Sequence, residues 1–514
     1  MSVDKAEVFN LKEWTTKVKA FDIIAGGHII LLNEEEAMQN GVYPNYRVEL
    51  HKGKERGVAV VDLTSELVKP GEIGIFKEVA ADLKLKNGDK IHIHHITRPP
   101  SLDHIKKKMD GNSLKRDEVH RIIKDLMDNY LSQAELSAFI TSVYIRGLTD
   151  DEVIYLTEAI SQSGDILDIG KKPVVDKHSI GGVTGRVTMV MVPILAAAGL
   201  WVPKTSSRSI TSAAGTADAM EVLAPVDIGI EELKEVVLKT NGAIVWGGGM
   251  NLAAADDKLI QIRHPFSLDP KGILLASILS KKKAVGADNV VVDLPIGRGA
   301  KIQDAKVAKA LARDFIDISK RLDMRTEVLI TDGSDPIGTG IGPALECVDV
   351  FKVLEGEGPR DLRDKSCVLT AKLFEMTGKA KPGAGFAMAE KLIDSGKALS
   401  KFREIIESQG GNGKIRIDDL PIGSYKHEII ADKSGRVHHV DNKILSHLAR
   451  AAGAPIEKGA GLRLHCERGD KVYKGSVLFE IYAESESKLD FAIKAYEGGW
   501  NPIELQKIVL DSVK

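Results

Sequence analysis

Residues 173–199 read Pro-Val-Val-Asp-Lys-His-Ser-Ile-Gly-Gly-Val-Thr-Gly-Arg-Val-Thr-Met-Val-Met-Val-Pro-Ile-Leu-Ala-Ala-Ala-Gly. The apolar stretch Pro173–Asp176 has the composition of a buried strand and runs straight into a loop of small and polar residues. The apolar run Val187–Val202 follows, interrupted by Thr188, Pro193 and Gly199, and it reads as a buried helix passing into the next strand, not as a membrane span. Glycines let backbone N–H groups come close to an oxygen, and a helix start adds partial positive charge. Lys177 and Ser179 supply a cation and a hydroxyl, so the corner is a candidate anion cradle. It is neither a Walker A loop nor a strict Gly-x-Gly-x-x-Gly, and a tight structural turn is the competing reading.

The same unit recurs downstream. Trp201–Lys204, Ala243–Trp246, Val290–Leu294 and Glu327–Thr331 are apolar segments, each followed by a small-residue loop and a helical pattern, which predicts a largely parallel sheet. The second corner, Thr205-Ser206-Ser207-Arg208-Ser209-Ile210-Thr211-Ser212-Ala213-Ala214-Gly215-Thr216, is as polar as the first. Corners of neighbouring parallel strands leave the same sheet edge, so their donors converge on one cleft, with capacity for two anionic groups.

Upstream, an offset of 43 residues superimposes Ile30, Leu32, Glu35, Val42, Val48 and Leu50 on Ile73, Ile75, Glu78, Leu85, Ile91 and Ile93. Two such ββαβ-like copies close a small β-barrel around a pseudo-twofold, because neither buries its apolar face alone. Pro99-Pro100 marks a linker, and Ile122, Ile123, Leu126, Met127 and Tyr130 then recur at helical spacing. The expected architecture is multidomain α/β. A repeat barrel spans 1–95 and a helical domain spans 100–164 plus about 258–287. A largely parallel α/β domain spans 165–257 plus 288–420, and an α+β, barrel-sandwich-like domain spans 421–514. Lys443, in Asp441-Asn442-Lys443, lacks the flanking pattern of a lipoyl or biotinyl lysine and reads as a surface residue.

Composition narrows the partners. Lys and Arg number 71 against 73 Asp and Glu, for a net charge of -2, so no overall field draws nucleic acid or an anionic membrane. Cys347, Cys367 and Cys466 are odd in number and widely spaced, and Met1 to Glu13 is charged; a cytoplasmic protein without a metal site is expected. His92 and His94 share a strand face without a third ligand nearby and read as exposed polar residues. Asp256-Asp257 read as acids complementing a helix start.

A third polar stretch, Arg263-His264-Pro265-Phe266-Ser267-Leu268-Asp269-Pro270, leads into a helix holding Ser277 and Lys281, and Gly297-Arg298-Gly299-Ala300-Lys301 closes a later strand. Lys-x-Ser-x-Gly-Gly at 177–182, Ser-x-Arg at 206–208, Gly-Thr-x-Asp at 215–218, Ala-Ser-Ile-Leu-x-Lys-Lys at 276–282 and Gly-x-Gly-Ala at 297–300 come in the order seen in one enzyme family. Over residues 100 to 510 the chain resembles the thymidine and pyrimidine-nucleoside phosphorylases. Its repeat domain resembles only the archaeal branch that takes AMP.

The resemblance implies phosphorolysis of a nucleoside 5′-monophosphate, AMP first, to adenine and ribose 1,5-bisphosphate, with inorganic phosphate as co-substrate and no cofactor. It casts Gly182, Ser207, Arg208, Ser209, Ile210, Thr211, Ser212, Thr216, Ser277 and Lys301 as AMP contacts, and Asp269 as proton donor to the base. Lys177 and Ser179 would take the attacking phosphate, with Arg263 and Lys281 as secondary candidates. Asp269 ahead of Pro270 also reads as a helix N-cap. The nucleoside branch has histidine where this chain has Ser212, a Gly-rich run where it has Ser209 to Ala214, and tyrosine where it has Ile260; these departures weigh against thymidine or uridine. Arg186 stands where other members carry an acid, and the resemblance gives it no role. A homodimer through the helical region, enlarged through the repeat domain, is expected. The rival readings are a nucleoside phosphorylase, a metal-using phosphoribosyltransferase and a nucleotide-sensing module.

Overall fold

The computed structural model describes residues 13–96, 98–181, 186–209 and 212–506. The chain forms two compact units, one built from residues up to 163 together with 254–277 and the other from 164–253 together with 278 onward.

The first unit opens with β1 (Glu13–Ala20), β2 (Ile29–Asn33), α1 (Glu34–Gln39) and β3 (Arg47–Lys52), and the order repeats as β4 (Glu55–Thr64), β5 (Glu72–Ile75), α2 (Lys77–Asp82) and β6 (Lys90–His95). The strands close a barrel in the order β1-β5-β2-β4-β3-β6. Exchanging the two copies maps every pairing onto another of the same sense: β1 and β5 are parallel like β4 and β2, and β1 and β6 are antiparallel like β4 and β3. Leu31 pairs with Gly74 and Leu50 with Ile93, each 43 residues on, so these two pairs lie on the pseudo-twofold. The first crossing explains the glycine. A Cβ on Gly74 would stand 2.8 Å from the Leu31 Cβ and 2.9 Å from the Phe21 ring. Ile30, Leu32, Leu50, Ile73, Ile75, Ile91 and Ile93 are buried inside.

Four helices follow, α3 (Ser101–Met109), α4 (Arg116–Met127), α5 (Gln133–Arg146) and α6 (Asp150–Ser161). Capping boxes start the last two, with Ser132 and Glu135, then Thr149 and Glu152. Arg47 of the barrel pairs with Glu135 of α5.

In the second unit β7 (Val175–Ser179), α7 (Val187–Ala197), β8 (Val202–Ser206), α8 (Thr216–Met220), α9 (Ile230–Thr240) and β9 (Gly242–Trp246) come in that order. The chain then returns to the first unit as α10 (Ala254–Arg263), and α11 (Lys271–Ala284) begins in the first unit and ends in the second. Next come β10 (Asn289–Ile296), α12 (Ala305–Arg321), β11 (Arg325–Asp332), β12 (Gly340–Ile341), α13 (Pro343–Leu354), α14 (Arg360–Met376), α15 (Gly385–Asp394) and α16 (Lys397–Ser408). Strands β11, β10 and β7 pair in parallel, β8 and β9 pair in parallel, and a parallel bridge from Val174 to Trp201 joins the two sets. The order β11-β10-β7-β8-β9 puts the loops after β7 and β8 side by side. Helix α7 is buried from Val187 to Ala196, as a helix apolar on every face apart from Thr188 must be.

The terminal segment holds β13 (Tyr425–Ile430), β14 (Gly435–Val440), α17 (Asn442–Ala451), β15 (Gly461–Leu464), β16 (Lys471–Val472), β17 (Val477–Ala483), α18 (Glu486–Glu497) and β18 (Ile503–Gln506). Its larger sheet, β12-β15-β17-β13, takes β12 from upstream of α13, a recruitment that two residues of sequence do not announce. Lys443 lies exposed in the first turn of α17. No helix among the described residues is long and apolar enough to cross a membrane.

Candidate active site

In β7 the residues alternate across the sheet, so Lys177 and Ser179 share one side and Asp176 and His178 the other. Ser179 faces Asp293 of β10 in register, and its Oγ donates to Asp293 Oδ2 at 2.6 Å. The other Asp293 oxygen accepts from Thr331 Oγ1 of β11 at 2.6 Å, and Lys365 Nζ of α14 lies 3.3 Å from Oδ2. Burial pushes the Asp293 carboxyl up, but Lys177, Lys365 and the two hydroxyls outweigh it and hold it below the ordinary range.

Lys177 is 7% exposed. Burial drives its pKa down to about 8 against the pull of Asp293, with Lys365 and Arg186 pushing the same way as burial. Among the described residues no carboxylate forms a direct ion pair with it. A buried cation without a direct counterion, beside a hydroxyl, is suited to an incoming anion.

Asp176 is fully buried between Lys282 Nζ of α11 at 2.5 Å and Lys204 Nζ of β8 at 3.1 Å. Burial opposes its ionisation, yet the two lysines keep the carboxyl below its usual range. Lys282 falls to about 7, chiefly through burial. His178 is neutral at physiological pH, because burial and then Lys282 and Lys204 push it well below the ordinary histidine value.

The second corner is organised by Asp218 of α8. It accepts from Ser209 N at 2.7 Å and Gly215 N at 2.8 Å, folding the loop back on the helix start. A Cβ on Gly215 would run into the Ser207 carbonyl oxygen, so this turn demands glycine. Arg208 lies over the Trp246 ring at 4.9 Å and forks onto Glu221 at 2.5 and 2.7 Å; the fork raises Arg208 and holds Glu221 down at about 2. The Ser209 hydroxyl bonds the Ser212 carbonyl, and Ser212 Oγ bonds Ala214 O at 3.0 Å. Thr216 is the first residue of α8. Arg186 pairs with Glu346 of α13 and donates to Ala214 O at 3.0 Å, which gives it a scaffolding place between both corners. Gly182, Ile210 and Thr211 lie outside the described residues.

In the first unit, Arg263 at the end of α10 closes an ion pair on Asp269, across the turn that contains the left-handed Ser267. Ser277 Oγ donates to Asp256 Oδ2 at 2.8 Å, and Asp256 is fully buried. Asp256 therefore does more than complement a helix start: it orients a candidate substrate hydroxyl. Lys281 stands one turn after Ser277 on α11. In the second unit Lys301 is exposed in the loop after β10.

Asp176, Lys204, Lys282, Asp293 and Lys365 were not among the residues expected from the sequence. A signal existed: Val-Val-Asp occurs at 174–176 and again at 291–293, and an acid inside an apolar parallel strand must find a buried cation.

Comparison with known proteins matches residues 171–399 to the glycosyl transferase family a/b domain, 102–164 to its helical bundle domain, and 436–502 to the pyrimidine nucleoside phosphorylase C-terminal domain. AMP phosphorylase of Pyrococcus furiosus is 45% identical over 500 residues, covering 97% of this chain and 99% of its own. AMP phosphorylase of Methanosarcina mazei is 46% identical over 497 residues, covering 96% and 97%. Among solved structures, anthranilate phosphoribosyltransferase from Thermus thermophilus shares the fold at a TM-score of 0.52 and 18% identity, over 60% of this chain and all of that one.

Proposed function

Because this chain belongs to the AMP phosphorylase family, we propose that it cleaves the N-glycosidic bond of AMP with inorganic phosphate. The observation that carries the proposal is identity of 45–46% to these enzymes along nearly the whole chain, repeat barrel included. The products are adenine and ribose 1,5-bisphosphate, and CMP and UMP are further candidate substrates.

Breaking the C1′–N bond builds positive charge on the ribose, and an adjacent phosphate dianion both stabilises it and attacks C1′. Lys177 and Ser179 hold that phosphate; Ser179 has one hydroxyl proton, so it must exchange Asp293 for the phosphate. Gly182, the loop from Ser207 through Ser212, Thr216, Ser277 and Lys301 receive AMP. For Arg208 to meet a phosphate directly it must exchange Glu221 for the nucleotide.

Asp269 donates the proton that lets adenine leave neutral. A carboxylate has no proton to give, so Asp269 must first leave Arg263 and take up a proton from solvent, and a nucleotide phosphate is a natural competitor for Arg263. Lys281 is a secondary substrate ligand. No metal takes part in the proposed chemistry.

The enzyme is proposed to assemble as a homodimer through the helical region, enlarged to a bigger homo-oligomer through the repeat barrel. Support comes from Met109, Tyr144 and Ile145, apolar side chains 48, 58 and 68% exposed.

The test is a panel of nucleosides and nucleoside monophosphates incubated with and without phosphate, with and without EDTA, followed by product chromatography. The expected result is base release from AMP that requires phosphate and ignores EDTA. Release only from nucleosides, metal-dependent turnover, or bound AMP that stays intact would each refute it.

A further inference from the structure

One carboxylate, Asp176, carries two ammonium groups in the interior next to the phosphate cradle. Lys204 is 6% exposed, Lys282 2% and Asp176 1%. They come from three separate elements, β8, α11 and β7, and the next residue of β7 is Lys177. Among the described residues, two lysines buried on one acid leave a positive charge without a second carboxylate paired to it, an arrangement that a fold selected for stability alone would avoid. The surroundings repeat the imbalance. Among the described residues Lys177, Lys204, Lys282 and Lys365 are four cations against Asp176 and Asp293, an excess of two, while Arg186 is matched by Glu346 and lies within reach of Asp218. An excess of two matches a phosphate dianion.

We propose that Lys204 and Lys282, bridged by Asp176, are positioning residues that supply part of the countercharge for the attacking phosphate without touching it. The inference rests on the phosphorolysis reading and adds the role of a network in its interior. Lys282 faces Asp176 and His178 of β7 and Lys204 of β8, and Lys177 and Lys281 also act on His178; Lys177 in turn faces Asp293, Lys365 and Arg186. With His178 neutral, the proton on Lys282 is the one that burial weakens: below about pH 7 it is held and the triad carries its extra charge, and above it that charge is lost. Anion affinity therefore falls as pH rises through that point. A unit charge within about 10 Å, at an effective dielectric of about 20, alters dianion affinity by about a hundredfold or more.

Sulfate is the probe, because it remains a dianion through the neutral range whereas phosphate itself titrates. Calorimetric sulfate binding is measured between about pH 6 and 7.5 on the full-length protein and on Lys282→Met, Lys204→Met and Lys282→Arg. Wild type is expected to lose about fourfold in affinity across the window, the most that one proton released near pH 7 can give. Lys282→Met binds weakly at every pH, with thermal stability equal to or above wild type, since a balanced Lys204–Asp176 pair remains. Lys282→Arg restores binding and removes the inflection. Wild-type affinity and pH profile in Lys282→Met overturn the proposal. So does a destabilised Lys282→Met combined with failure of Lys282→Arg to restore sulfate binding, which marks a merely structural role. If AMP is not cleaved while these sulfate results hold, the function reading falls and this one stands.

Discussion

Replacing Lys177 by methionine should stabilise the ligand-free protein while removing its use of phosphate. A buried lysine moved from 10.5 to about 8 has its cation disfavoured by about 3 kcal/mol. Below about pH 8 that penalty is fully present, because both folded and unfolded chains keep the proton. Between about 8 and 10.5 the folded protein releases the proton and the unfolded chain retains it, so stability rises with pH. Lys177→Met removes the penalty and, at pH 7, should raise the melting temperature of the second unit by about 4 °C for roughly 300 residues. It should also flatten the rise above pH 8. The assay is thermal denaturation of both proteins from pH 7 to 10, read as the difference between them, together with the phosphate KM of the AMP reaction. A less stable Lys177→Met would refute the reasoning, since it would mean that the ammonium is well compensated in the folded protein. A stabilised variant with unchanged phosphate KM would separate the electrostatics from the binding role and sink the latter.

Asp269→Asn should lower the rate of adenine release by about 10² to 10⁴ with little change in the AMP KM, and a wild-type rate in single-turnover assays would exclude it as the acid. Lys301→Ala should mainly raise the AMP KM; an equal loss in kcat at saturating AMP would contradict a simple binding role. Arg186→Met leaves Glu346 buried without its cation and should destabilise the second unit by about 3–5 kcal/mol in urea titrations, whereas a loss near zero would show that the pair contributes little. Gly215→Ala should disrupt the second corner and raise the AMP KM with the global unfolding midpoint nearly unchanged, and a wild-type KM would show that the loop tolerates the side chain.

Periodicity and local chemistry were enough to lay out the chain. The 43-residue repeat fixed a twofold barrel, because two copies of one apolar pattern have few ways to bury each other, and the alternation of apolar strand, small-residue corner and helix fixed a parallel sheet. The polar corners were legible for the same reason: short-range composition announces where backbone donors gather. Pairing across the sequence was not legible. Asp293 meets Ser179 and Asp176 meets Lys282 across more than 100 residues, Arg208 is taken by Glu221 and Trp246, and β12 joins a sheet whose other strands begin 85 or more residues later. Which buried charge neutralises which depends on strand register and helix packing, and those are decided only when the core closes. The sequence therefore determined the kinds of residue at the cradle, while the tertiary structure decided its charge balance.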